Sequence, residues 1–272
     1  MKTIQKLIVA AALSATSLSA MAFSLPFNVT VRDFRGAGAA TNPDFDNSDI
    51  SGLKTGMVAT TLDSNGKPVY IGSGGGSNAA GNVFSAASFA AWYRSCDGSQ
   101  YSCVSQHTVT LSAEVDANDV LSYSNNAYFP LDALTNSSIW DNAGAPNHNF
   151  FFTSELYLQL IYDPTKENKF KFTGDDDVWV FINGQLVMDL GGIHAATTGE
   201  FDLDNLAAGL GISAYEKYDF TMFHAERHHT ESNMSIISTL GQPLNQVPEP
   251  ATLGLLGLGL LGLAGMRKRK EG

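Results

Sequence analysis

KFKFTGDDDVWVFINGQLVMDL, residues 169–190, is the stretch on which the fold turns. Lysine and phenylalanine alternate from Lys169 to Phe172, the period-two signature of a strand with one wet and one dry face. VWVFI, Val178 to Ile182, is a dense β-branched and aromatic run. Asn183-Gly184 follows it, and then QLVMDL, Gln185 to Leu190. Asn-Gly between two such runs favours the type I′ turn, so the second half reads as a hairpin. Between the Lys/Phe strand and the hairpin stand three adjacent carboxylates, Asp175, Asp176 and Asp177. They repel one another, and aspartate is depleted from strands. A solvated turn tolerates them, and a cation site uses them. Three hard oxygen donors within one turn suit Ca²⁺, which accepts irregular oxygen-only shells. The spacing is not that of an EF-hand, whose alternating aspartates and closing glutamate are missing.

Outward from this stretch the chain keeps the same texture. NVTVRDF (28–34), HTVTLSAEV (107–115), LSYSNNAYFPLD (121–132) and NFFFTSELYLQLIYD (149–163) read as strands or as strands running into loops. So do EFDLDNL (200–206), YEKYDFTMFHAE (215–226) and SNMSIISTL (232–240). GMVATTL (56–62) and PVYIGS (68–73) flank a second hairpin signal, Asn65-Gly66. SAASFAAWYRS (85–95) is the one short helix expected in the first half, with Ser85 as its N-cap. GSGGGSNAAGN (72–82) reads as a flexible loop or linker. Many short strands with regular turn signals predict an all-β fold, an antiparallel, jelly-roll-like β-sandwich with long loops.

The two ends are targeting segments. Residues 1–22 combine Lys2 and Lys6, a short apolar run and small residues at Ala20 and Ala22, the pattern of a secretory signal peptide cleaved after Ala22. At the other end VPEP (247–250) precedes an apolar Gly/Leu stretch, Ala251 to Met266, and then RKRK (267–270). That stretch is slightly short for a transmembrane helix, but basic flanks that snorkel make it workable, and they stay cytoplasmic. The division expected is a signal at 1–22, one β-sandwich at 23–246, and a sorting segment at 247–272 with its helix at 251–266.

The chain holds 16 basic and 27 acidic residues, of which the two signals carry six and two. The body therefore keeps 10 basic and 25 acidic residues, a net charge near −15. That excludes nucleic acid and anionic lipid as natural partners and suits divalent cations. Cys96 and Cys103, in RSCDGSQYSC, are expected to form a disulfide clipping a small loop of an exported protein.

Catalytic signatures are missing. HAERHH places His224 and His228 at H-x₃-H spacing, but the segment before it alternates as a strand, and the glutamate of H-E-x-x-H is absent. No nucleophile elbow, P-loop or dinucleotide fingerprint is present. The expectation is a protein that is not an enzyme. His194, closing LGGIH, is structural, ligand-binding or surface.

Two resemblances carry the reading further. The order of Pro248-Glu249-Pro250, Gly/Leu helix and basic cluster resembles the PEP-CTERM sorting signal. That implies export by a polysaccharide-producing bacterium, transient anchoring in the inner membrane, and processing by an exosortase-type protease. Release to the cell surface, extracellular matrix or biofilm follows. FTGDDDVWVFINGQLVMDLGGIH and YDFTMFHAERHHTESNMSI, with VRDF, NPDFD, YFPLD and HNFFFT before them, resemble the fibro-slime domain. The same core is similar to the protective-antigen-type β-sandwich. In lectin-like members of that group two adjacent aspartates joined by a cis peptide bind Ca²⁺ and, through it, a sugar. The resemblance places that pair on Asp175 and Asp176, with Asn233 as a further oxygen donor from the loop at 228–233. Asp177 stands where a glycine often follows the pair, so it is either a ligand or an outward-facing third charge. Trp179 packs in the core or, if its face is open, stacks on a sugar ring. With His194 these residues complete the candidate ligand site. The function implied is Ca²⁺-dependent, non-catalytic binding of extracellular polysaccharide. The alternatives are a matrix protein in which Ca²⁺ only stabilises the fold and, further off, a polysaccharide hydrolase.

Overall fold

The computed structural model describes residues 22–35, 42–45, 50–72, 81–134 and 148–241. Residues 1–21 of the expected signal peptide and the helix at 251–266 lie outside these residues. Among the described residues, no helix is long and apolar enough to cross a membrane.

The architecture is all-β and antiparallel, as the turn spacing predicts. Ten strands follow one another: β1 (Phe23–Asp33), β2 (Ser105–Val115), β3 (Leu121–Asn125), β4 (Phe152–Ile161) and β5 (Lys169–Gly174). Then come β6 (Asp177–Ile182), β7 (Gln185–Leu190), β8 (Thr197–Asp202), β9 (Lys217–Glu226) and β10 (Met234–Ser238). Their spatial order is β7-β6-β9-β4-β1-β2-β3-β10-β5-β8. β2 is the fold line. It pairs with β1 from Phe23↔Val115 to Asp33↔Ser105, but with β3 only at Glu114↔Ser122 and Val115↔Leu121. The sheet therefore doubles over into two layers, and its two ends, β7 and β8, come back against each other.

The apolar core fills the space between the layers, with Val29 and Val31 of β1, Val178 and Val180 of β6, Met222 of β9, Phe172 of β5 and Ile236 of β10 buried there. A second core lies on the outer face of β6 and β9. Trp179, Phe181 and Phe223 meet Phe34, Phe45, Phe89, Trp92 and Tyr93 from the excursion that separates β1 from β2. This explains why VWVFI shows no alternation: β6 is buried on both faces, and each face demands an apolar side chain.

Within the excursion, α1 (Ala86–Ala90) forms where expected but is shorter, with Ser85 closing a capping box on Ser88. The two expected strands around Asn65-Gly66 are reduced to a bridge, Val58↔Tyr70, with two further backbone bonds. Lacking a long partner, they clamp the edge of β7 instead, where Leu186 N donates to Thr60 O. EFDLDNL splits: β8 ends at Asp202, whose carboxylate caps α2 (Leu203–Leu206). Asn183 and Gly184 both take positive φ, 51° and 71°, as a type I′ turn requires. Cys96 and Cys103 are disulfide-bonded.

The pairings Gly174↔Met234, Asp177↔Ala225 and Phe152↔Glu226 bring the ends of β5, β6, β9 and β4 to one pole, with the start of β10. The acidic triplet lies there.

Candidate functional site

The three aspartates sit between the end of β5 and the start of β6, and all three are buried, against the expectation of a solvated turn or an outward third charge. Each is held differently. Asp175 is fastened to the chain before β10: its N–H donates to Asn233 O at 3.4 Å, and its Oδ2 accepts from Asn233 Nδ2 at 2.6 Å. This closeness depends on Gly174, where a Cβ would stand 2.4 Å from Asn233 O. The other oxygen of Asp175, Oδ1, is buried and has no hydrogen-bond partner among the described residues.

Asp176 makes the turn, with a φ of 52°. Its Oδ1 accepts from His194 N at 3.2 Å and its Oδ2 from Arg227 N at 2.7 Å, while its own N–H donates to His194 O at 3.1 Å. The described residues hold no cis peptide bond. The Asp175–Asp176 link is therefore trans, a correction to the pattern the lectin-like resemblance implies; the positive φ of Asp176 turns the chain.

Asp177 points inward. Its Oδ1 accepts from Gly192 N at 2.6 Å and its Oδ2 from Arg227 Nε at 2.7 Å. Gly192 has a φ of 99°, and a Cβ there would meet Gly52 O at 2.3 Å, so the second glycine of LGGIH is needed for this approach. Fully buried and paired with Arg227, Asp177 faces the interior.

Two residues that the sequence reading passed over complete the cluster. Arg227 is fully buried. Beyond Asp177, its guanidinium donates to Gly81 O (2.8 Å), Asn82 O (3.2 Å) and Asp44 O (3.3 Å), and it lies 4.8 Å from the centre of the Trp92 ring. Glu226 is fully buried beside Asp176, with Oε2 unpartnered. The clue was available: a buried acidic cluster needs a cation, and Arg227 is the one arginine between Arg94 and Arg267.

The electrostatics follow from packing several carboxyls around one guanidinium. Burial pushes Asp176 up to about 7, with Asp177 adding repulsion and Arg227 opposing it. Glu226 is held well above the usual carboxylate range by burial, then by the Asp176 charge. Asp175 is raised by burial, although its bonds to Asn233 pull it back. Burial lowers the Arg227 guanidinium, but Asp177, Asp176 and Asp44 together more than compensate. One cation is too little for this much acid.

A cavity of about 220 Å³ opens over Asp175 and Asp176, walled by Ile193, His194, His228 and Thr230. The His194 ring nitrogens face the carbonyls of Ala195 (3.0 Å) and Leu190 (3.3 Å), so the ring walls the cavity without aiming a lone pair into it. Trp179 is fully buried on the far side of β6, its Nε1 donating to Asp189 at 2.9 Å and its ring packed on Phe89 and Trp92. It offers no face to a sugar, which corrects the open-face alternative. Among the described residues no three His, Cys, Asp or Glu side chains converge as a metal cage. The carboxylates lining the cavity are Asp175, Asp176 and Glu231.

The profile of the PEP-CTERM protein-sorting motif matches residues 246–270. The chain carries a PEP-CTERM sorting signal. It is therefore an exported, membrane-transiting protein, and the signal implies processing by an exosortase. Over the body, similarity runs to Dictyostelium discoideum proteins. Protein psiR is 32% identical over 207 residues, covering 73% of this chain and 20% of its own length. Protein psiC is 30% identical over 224 residues, covering 80% and 41%. The chain thus spans about a fifth to two fifths of these relatives. Among solved structures, the PA14 domain of the MpAFP antifreeze protein aligns at 18% identity with a TM-score of 0.28, over 45% of this chain and 63% of that one. The PA14 sugar-binding domain from an RTX adhesin aligns at 13% with a TM-score of 0.26, over 44% and 70%. Likenesses this slight carry no structural argument.

Proposed function

We propose that the body of this exported protein is a fibro-slime domain that binds extracellular polysaccharide without catalysis, through a Ca²⁺ ion held by Asp175 and Asp176. The observation that supports this most directly is Asp175 Oδ1, a buried carboxylate oxygen with no partner among the described residues, on a residue that lines an acidic cavity. A buried polar atom left unpaired is costly, and a cation supplies the missing interaction. The donor chemistry fits a hard ion. The carboxyls of Asp175 and Asp176 are raised because burial is not matched by positive charge, and a divalent ion would reverse that balance. Asn233 stands beside Asp175 with an amide oxygen as a further neutral donor. Ca²⁺ takes six to eight oxygens, so two carboxylates and an amide leave positions for sugar hydroxyls. Asp177, Arg227 and Glu226 serve by fixing this loop. The residues assign no nucleophile or acid–base pair, and no turnover is proposed.

Calorimetric titration of the protein with Ca²⁺, and then with the polysaccharide of the producing cells, tests the reading. Ca²⁺ uptake that Asp175→Ala with Asp176→Ala abolishes, followed by Ca²⁺-dependent sugar binding, is expected. Absence of uptake, or uptake indifferent to both substitutions, overturns the site. Uptake without sugar binding leaves Ca²⁺ as a stabiliser of a matrix protein, and release of reducing ends would make the protein a hydrolase.

A further inference from the structure

Among the described residues, the fold line at β2 leaves an edge open. From Ser105 to Ala113 one side of β2 pairs continuously with β1, while on the other side no described strand pairs with it, because β3 joins only at Glu114 and Val115. The open side shows a deficit in packing as well as in pairing. Val109 and Leu111 face the core between the layers, opposite Val29 and Phe27, yet both stay only partly buried. Core-facing apolar side chains left half-covered on an unpaired strand mark a place where one more strand fits.

Natural edges are guarded by lysine, proline, a bulge or an inward charge. Between Ser105 and Ala113 the sequence SQHTVTLSA has no Asp, Glu, Lys, Arg or Pro, and its register with β1 runs without a shift. This matters on a body whose net charge is near −15, where most surfaces repel a second copy of the same chain. The neutral edge is where a second copy can approach. The sequence is also nearly symmetric about Val109. Antiparallel pairing about a two-fold axis through that residue sets Val109 against Val109 of the second copy. It sets Thr108 against Thr110, Gln106 against Ser112 and His107 against Leu111, each pair on one face. Thr–Thr and polar pairs then line the exposed face, and Val, Leu and His close the core side.

We infer that the free edge of β2 is a self-pairing site, through which two copies of this chain join edge to edge into one continuous sheet centred on Val109. Such an isologous contact closes on itself, so it yields a dimer and not a fibre. It also puts two acidic cavities on one particle, which raises avidity for any repetitive ligand.

The test uses the full chain, recovered from an exporting host in mild detergent and measured by sedimentation equilibrium at micromolar concentration. A dimer is expected, and Thr108→Lys with Thr110→Lys, which sets lysines opposite one another, should weaken association by roughly tenfold or more while the separated chain keeps its native far-UV circular dichroism. Val109→Cys should form an intermolecular disulfide under mild oxidation, since directly opposed residues hold their Cβ atoms roughly 4.5–5.5 Å apart. Thr110→Cys, which faces Thr108 and not itself, should cross-link far less. A chain that stays monomeric overturns the inference. So does a dimer that survives the lysine pair, or one in which residue 110 cross-links as readily as residue 109.

Discussion

Arg227 Nε donates to Asp177 Oδ2 at 2.7 Å, and neither side chain is reached by solvent. One residue thereby connects three parts of the chain. Its backbone N–H holds Asp176, its Nε holds Asp177, and its terminal nitrogens hold the carbonyls of Asp44, Gly81 and Asn82. The excursion between β1 and β2 is thus tied to the acidic loop through a single guanidinium.

Removing that guanidinium leaves the buried Asp177 without its cation, and its Oδ2 without the donor it had. Arg227→Met is expected to cost about 3–5 kcal/mol, the range for breaking one half of a buried ion pair. Arg227→Lys keeps the charge but not the planar fork, and it should still lose about 2 kcal/mol of charge-assisted hydrogen bonding. Urea unfolding measures both. A lysine variant as stable as the parent would show that the carbonyl contacts contribute nothing.

The buried His224 should cost the fold stability in acid. It lies on the core face of β9 against Tyr128 and Phe152. Burial pulls its imidazole from 6.5 down to about 3. Between those values the unfolded chain holds a proton that the folded chain refuses, so this contribution is complete above 6.5 and is lost as pH falls towards 3. Asp176 and Glu226 act with the opposite sign. Their raised values mean the folded chain holds the extra protons, so the share of Asp176 fades as pH rises from the ordinary carboxylate range towards about 7, and that of Glu226 fades in the same direction. His224→Phe isolates the first effect. Relative to the parent, the variant should gain about 1.4 kcal/mol for each pH unit below 6.5, measured by denaturant unfolding in chelator. Parallel stability curves for the two proteins would defeat the argument.

The disulfide closes a short loop, with its cysteines 7 residues apart. Chain-entropy arguments give such a loop about 2–3 kcal/mol. The loop also abuts the second core, where Cys103 is buried and packs with Tyr93 and Trp92. Cys96→Ser with Cys103→Ser is therefore expected to lower stability by that amount or slightly more, read as a drop in the urea midpoint. A loss confined to local proteolysis of the loop, with the midpoint unchanged, would place the disulfide outside the cooperative unit.

The strands were legible in the sequence because period-two alternation and Asn-Gly turns are local signals, and Lys169 to Phe172 shows both faces of its strand in the letters. The burial of Asp177 was not legible, because it depends on Arg227, fifty positions away, and on loops near Asp44 and Gly81 that no local pattern connects to it. Trp179 illustrates the same boundary. Its strand was evident, but its exposure depended on whether anything covers the outer face of β6. The covering residues, Phe89 and Trp92, come from the excursion between β1 and β2. Asp175 and Asn233 were paired only through resemblance; in the structure they are joined at 2.6 Å.

That pairing rests on the missing side chain at Gly174, which separates site geometry from stability. In Gly174→Ala the added methyl would stand 2.4 Å from Asn233 O and 2.6 Å from the Phe172 ring, so backbone or core must shift. Overpacking of this kind costs about 1–3 kcal/mol. The displaced strand carries Asn233 away from Asp175, so Ca²⁺ uptake should fall by more than the stability loss accounts for. Gly66→Ala supplies the comparison. Gly66 has a φ of 69° with no atom near its absent Cβ, in a hairpin on the excursion, and its substitution costs roughly 1 kcal/mol of backbone strain without touching the site. Unfolding midpoints and calorimetric Ca²⁺ titrations on both variants decide the matter. If Gly174→Ala and Gly66→Ala reduce uptake in equal proportion to their stability losses, the close approach of Asp175 and Asn233 has no special part in holding the ion.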